Sequence, residues 1–186
     1  MKPIFGYAKL NIRIMPLDRG DMFEDPLAEA LEENGFGEVT GAGTMTSAEG
    51  EIEYCGIDID NLDIDKGVPF ICKFLTKCGA PKGSELQYKH KGKDTKTPFG
   101  DAEGLALYLN GTDLPKKVYK ECDINDLVDE LTRLLGDHGS MLGHWQGPTE
   151  TALYLYGKSF AEMQKCIAGH VATYPLCQKS RVVQIA

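Results

Sequence analysis

The sequence predicts an α+β protein built from two successive βαββαβ halves, each an antiparallel sheet with its helices on one face. Three observations carry this. Apolar and polar residues alternate at strand period in short runs. Capped amphipathic stripes at helical period separate those runs. The order of elements then begins again after residue 102. A chain of 186 residues and 20.4 kDa has room for two such units of about 90 residues.

In the first half, Tyr7 to Met15 alternates Leu10, Ile12 and Ile14 with Lys9, Asn11 and Arg13, the pattern of a strand with one wet face. Asp25-Pro26 then offers an N-cap and a first-turn proline, Leu27, Ala30 and Leu31 form the buried stripe, and Asn34-Gly35 stops the helix. Glu38 to Thr46 and Glu51 to Asp60 pair as a hairpin around Ser47-Ala48-Glu49-Gly50. A second helix from about Pro69 to Cys78 carries Phe70, Ile71, Phe74 and Leu75, stops at Gly79, and precedes a short strand, Glu85 to Tyr88. Lys89 to Asp101 holds four lysines, a proline and two glycines without apolar periodicity and reads as a linker. The first half is therefore placed at residues 1–90, the linker at 91–102 and the second half at 103–186.

In the second half, Leu105 to Leu109 alternates as a strand, and Asp123 caps a helix with the stripe Ile124, Leu127, Val128, Leu131 and Leu135. Ser140 to Gln146 and Glu150 to Tyr156 flank Gly147-Pro148 as a hairpin. Ser159-Phe160-Ala161-Glu162 is a capping box opening a helix through Phe160, Met163, Ile167 and Val171, and Arg181 to Ile185 is the last strand. This repeated order resembles the ferredoxin-like split βαβ fold, which implies a four-stranded antiparallel sheet in each half and no particular activity. The stretch Met15-Pro16-Leu17-Asp18-Arg19-Gly20-Asp21-Met22-Phe23-Glu24-Asp25-Pro26-Leu27, with Gly41-Ala42-Gly43-Thr44 and Gly50-Glu51-Ile52-Glu53-Tyr54, also resembles small uncharacterised bacterial proteins.

Charge and cysteine narrow the setting. A net charge of -8 repels phosphate backbones, so nucleic acid is not an expected partner. No run approaches the roughly 18 apolar residues of a membrane helix, and the N-terminus has no apolar leader, so the expected location is the cytoplasm without membrane attachment. The six cysteines form no Cys-x-x-Cys pair and fit reduced thiols. His138 with His144, and Cys166 with His170, each give two ligands where zinc takes three or four, so no metal is expected. No nucleophile elbow, phosphate loop, metalloprotease helix or dinucleotide fingerprint occurs, so neither catalysis nor a cofactor is expected.

Two groups of residues are candidates for binding. Asp18, Asp21, Glu24 and Asp25 crowd Arg19 between a strand end and a helix start, where ACT-like sensors of the resembled fold bind ligands. Clustered carboxylates there suit a cationic ligand or a basic protein surface, while the plainer reading has the aspartates capping and Arg19 pairing locally. The second group is Tyr108, His144, Trp145, Glu150, Tyr154 and Tyr156. Strand alternation sets Tyr154 and Tyr156 with Glu150 on the face turned away from the helices, with either His144 or Trp145 joining them. That face could stack a ring or receive a partner, or pack against the sheet of the first half. His144 with Glu150 is also the one pair that resembles a base and its orienter. The leading expectation is a non-catalytic acidic module for a basic protein partner, of immunity or inhibitor type. The alternatives are an ACT-like small-molecule-binding regulatory domain and a small enzyme using His144 and Glu150.

Overall fold

The computed structural model describes residues 4–186. The chain divides into two compact units: Met1–Ser47 with Ile52–Ala102, and Glu103–Ala186 with the turn Ala48–Glu51.

The first unit runs β1 (Gly6–Leu10), a helical segment, β2 (Glu38–Thr46), β3 (Ile52–Asp60), α3 (Gly67–Lys77), β4 (Ser84–His90) and β5 (Lys93–Phe99). The helical segment consists of α1 (Pro16–Arg19), a π turn (Gly20–Glu24) and α2 (Asp25–Asn34). The sheet has the order β2-β3-β1-β4-β5, every neighbour antiparallel. Strand alternation sorts its side chains: Ala8, Leu10, Cys55, Ile57, Ile59 and Leu86 are fully buried, as are Leu27 and Leu31 of α2 and Ile71 and Leu75 of α3. Gly35, in the left-handed region at φ 64°, ends α2 by donating its N–H to the Leu31 carbonyl.

The second unit runs β6 (Glu103–Asn110), α4 (Lys116–Glu121), α5 (Ile124–Leu135), β7 (Gly139–Gln146), β8 (Glu150–Gly157), α6 (Phe160–Thr173) and β9 (Arg181–Gln184). Its sheet order, β7-β8-β6-β9, is the same arrangement as β2-β3-β1-β4. Both units are thus ferredoxin-like in strand order, and the first carries one extra edge strand. The core of the second is the stripe the sequence displays: Leu105, Leu107 and Leu109 of β6, Leu127, Leu131 and Leu135 of α5, Leu153 and Leu155 of β8, and Met163 and Ile167 of α6. Asp123 caps α5 by accepting the Asn125 N–H at 2.8 Å, and Ser159 caps α6 by accepting that of Glu162 at 3.3 Å.

Two expectations are corrected. Residues 91–102 are not a linker, because β5 pairs with β4 from Ser84↔Phe99 to His90↔Lys93. The tight turn Lys91-Gly92 makes this possible: both residues take positive φ, 50° and 81°, the geometry that matches strand twist in a two-residue hairpin. Its apolar alternation is nearly absent because β5 is an edge strand. Lysines and Pro98 on an edge discourage further strand addition.

The second correction concerns the helix start. The segment Asp18 to Asp25 is no loop, since helix begins at Pro16 and Asp25 lies inside a continuous helical run. Asp25 donates its N–H to the Gly20 carbonyl five residues back, the widened register of a π turn. That widening sits just before Pro26, whose ring has no N–H and would crowd a carbonyl four residues back in an unbroken α-helix. Among the described residues, no helix is long and apolar enough to cross a membrane.

Candidate functional site

In the first candidate region the structure turns Arg19 inward onto Glu24 and away from the exposed Asp18, Asp21 and Asp25. Arg19 is buried, its Nε–H donates to the Glu24 carboxylate, and its Nη1 donates to Thr44 Oγ1 of β2 at 2.6 Å. Next to it lies the fully buried Cys55, whose Sγ is 3.6 Å from the Ile12 carbonyl and 3.7 Å from that of Ile14. Burial raises the Cys55 thiol above its ordinary range despite the nearby Arg19 charge, so it is a structural thiol. Asp18, Asp21 and Asp25 are exposed. With Glu29 and Glu32, also exposed, Asp21 and Asp25 fall on the outer side of the helix at i, i+4, i+8 and i+11, opposite the buried Phe23, Leu27 and Leu31. Exposed Met15 and Leu17, the latter 84% accessible, stand at the start of this helix.

The tyrosine face is not open. Tyr108, Tyr154 and Tyr156 are 6%, 1% and 4% accessible, so they cannot stack a ligand ring. Glu51, in the turn that belongs to the second unit, accepts from the Tyr108 hydroxyl at 2.6 Å and the Tyr154 hydroxyl at 2.8 Å. A carboxylate held by two phenols satisfies three polar groups at once. Trp145 lies opposite Ala152 and therefore on the tyrosine side, donating its indole N–H to the Glu49 carbonyl at 3.3 Å. The register that sequence could not supply is set by an irregularity between Met141 and Gly143.

His144 and Glu150 do not form a pair. His144 lies opposite Leu153, whereas Glu150 shares its side of β8 with Ala152 and Tyr154, so the two side chains leave opposite faces of the sheet. Glu150 is instead held by Arg181 of β9, whose Nε and Nη2 donate to its two oxygens at 3.1 and 2.8 Å. The Arg181 guanidinium also sits 3.6 Å over the Tyr108 ring. Arg181 holds the Glu150 carboxyl below the usual glutamate range. A depressed folded value contributes stability above the unfolded value, lost as pH falls through the folded one. Arg181→Met should therefore narrow the difference in unfolding free energy between pH 7 and pH 3, measured by urea titration, by a few tenths of a kcal/mol, on the order of an exposed pair, since the pair is a third to a half exposed. An unchanged pH difference would show that the fork is fully screened.

Two further thiols are held back by burial. Burial pushes Cys72 and Cys177 up to about 11, so at pH 8 little thiolate is present and nucleophilic attack is slow. Alkylation of the native protein by iodoacetamide, mapped by peptide mass, should leave these two behind at pH 8 and speed up steeply toward pH 10. Among the described residues, no group of three or more His, Cys, Asp or Glu side chains converges on a point where an ion could sit.

One feature escaped the sequence. A cleft of about 650 Å³ opens in the first unit, lined by Phe5 and Tyr7 of β1 and its approach, Gln87 and Lys89 of β4, and Asp94 and Lys96 of β5. Its signal was the half-apolar outer face of β1, where aromatic side chains alternate with the core residues, but that signal needs β5 as a wall, and β5 read as linker.

No protein-family model matches the chain, nor does any curated protein. Among solved structures it is similar to an unknown protein from Galdieria sulphuraria (10% identity, 98% of this chain and 96% of the other, TM-score 0.28). It is also similar to a presumed monooxygenase from Lactobacillus acidophilus (13% identity, 100% and 95%, TM-score 0.31). A third similarity is to the first two RRM domains of the yeast poly(U) binding protein Pub1 (10% identity, 97% and 99%, TM-score 0.26). Likenesses of this strength assign no activity to this chain, and its fold rests on its own strand order.

Proposed function

We propose that this protein is a non-catalytic interaction module that offers an acidic helix to a basic protein partner, as an inhibitor or immunity-type protein does. The observation that carries the reading is the outer stripe Asp21, Asp25, Glu29 and Glu32, with Asp18 beside it. Its one internal cation, Arg19, is turned inward onto Glu24 and Thr44. Carboxylates on a helix that has no exposed cation of its own act together on an approaching charge, speeding encounter and choosing the sign of the partner. Met15 and Leu17 at the head of the stripe add the apolar contact that an interface core needs. The net charge of -8 supports the same reading, and six unpaired thiols suit the reducing cytoplasm.

The test is affinity capture from extract at 50 and 500 mM salt, with the wild-type chain and with D21N/D25N/E29Q/E32Q as baits. The expected result is one or a few strongly basic proteins held by the wild type at low salt, released at high salt and absent from the variant. The same proteins on both baits, or none on either, would overturn the reading.

A further inference from the structure

We propose that the β1–β4–β5 cleft of the first unit binds a planar aromatic carboxylate, stacked on Tyr7 and held by the lysines of the β4–β5 hairpin. The proposal is independent of the acidic helix.

A glycine beside the cleft makes room for the Tyr7 ring. A Cβ placed on Gly56 of β3 would lie 2.0 Å from the Tyr7 hydroxyl oxygen and 2.3 Å from its Cζ, so the Tyr7 ring crosses from β1 and lies over the bare backbone of Gly56. The Lys9 ammonium sits 4.3 Å above the ring of Tyr54, which shares a face of β3 with Gly56. A ring laid along a sheet presents its face rather than its edge, the geometry on which flat ligands stack. Tyr7 lines the cleft, and so does Phe5, which is 52% accessible. Leaving half a phenyl ring in water forgoes part of the burial free energy of such a side chain, and a flat apolar ligand would recover it.

The walls set the charge of the ligand. In a chain with a net charge of -8, the charged residues lining the cleft are two lysines, Lys89 and Lys96, and one aspartate, Asp94. Cross-strand register puts Tyr7, Gln87 and Lys96 in one row across the sheet, and Lys89 opposite Asp94 in the next. The Lys96 ammonium is 2.8 Å from Glu85 and 63% accessible, and Lys89 is 3.7 Å from Asp94 with both largely in water. The exposed Lys89–Asp94 pair contributes little and can exchange for a carboxylate brought in by a ligand, whereas Glu85, only 23% accessible, holds Lys96 more closely. Gln87, also on the wall, donates its amide to Glu85 at 2.8 Å and has a second N–H for a ring substituent. A cleft of about 650 Å³ is in the range of small-molecule sites and takes one or two fused rings.

The experiment uses three probes of similar size on the full chain by isothermal titration: 2-naphthoate, 2-naphthol (ring without charge) and cyclohexanecarboxylate (charge without aromatic face). Backbone amide shifts map the site. The expected result is saturable 1:1 binding of 2-naphthoate, at least about tenfold tighter than either control, with shifts at Tyr7, Gln87 and Lys96. Tyr7→Leu should abolish it, and Lys89→Gln/Lys96→Gln should weaken it about tenfold and flatten its salt dependence, both with an unchanged circular dichroism spectrum. Equal binding of the three probes, shifts elsewhere, or no saturation at 1 mM would overturn the proposal.

Discussion

Gly100→Ala should lower the unfolding free energy by about 3 kcal/mol, the sum of a left-handed backbone penalty of about 1 kcal/mol and the loss of two or three hydrogen bonds at about 1 kcal/mol each. Gly100 follows β5 at φ 91°, and a Cβ there would lie 2.1 Å from the Pro81 carbonyl oxygen and 2.7 Å from that of Ala80. Neither carbonyl can yield cheaply. Ala80 accepts from the Asp101 N–H at 3.1 Å, Lys82 donates to the Ala102 carbonyl at 2.8 Å, and Gly100 itself donates to Thr76 Oγ1 of α3 at 3.0 Å. The substitution therefore tears the seam that returns β5 to the end of α3. In a domain of this size the midpoint of thermal unfolding should fall by roughly 10 °C. Gly79→Ala is the control: its φ is 94° but nothing lies within 4 Å of its Cβ, so it should show the backbone penalty alone. Equal melting temperatures for the two variants would mean that the seam adds nothing.

That seam is also where sequence reading stopped. The elements that bury a face declared themselves, because a leucine stripe such as Leu127, Leu131 and Leu135 is forced by the core it fills. β5 buries only Phe99 and exposes its lysines, so nothing in its composition distinguishes it from a tether, and the Lys91-Gly92 turn was the one usable sign. The site suffered from the same limit. Strand period placed Tyr108, Tyr154 and Tyr156 on the face away from the helices, which is where they are. Period says which face a residue takes and not what covers it, so the carboxylate of Glu51, 103 residues before Tyr154, could not be foreseen. Likewise His144 and Glu150 are near in sequence but leave opposite faces, a parity that one irregularity in β7 decides. Asp25-Pro26 looked like a helix start because caps and first-turn prolines are commonest there, and a π turn is the rarer way to carry a proline inside a helix.

Arg19→Ala should destabilise the protein by about 3 kcal/mol, the lower end of what breaking one side of a buried ion pair costs. The Arg19 side chain is 9% accessible and that of Glu24 21%, so the abandoned carboxylate is mostly shut off from water, and Thr44 Oγ1 loses its 2.6 Å donor. The lower end applies because Glu24 keeps some hydration. Replacing both partners with apolar residues of similar volume, Arg19→Met with Glu24→Leu, should restore stability to within about 1 kcal/mol of the wild type, since no charge is then left behind. A urea series on the wild type, the single variant and the double variant measures both numbers. The pair also decides how the helix meets a partner. With Arg19 folded onto Glu24, the stripe Asp21, Asp25, Glu29 and Glu32 faces solvent with no cation of its own helix among it. The double variant should therefore keep both the fold and the capture of basic proteins. If it folds but loses capture, the Arg19–Glu24 pair is itself part of the interface, and the acidic stripe alone does not account for binding.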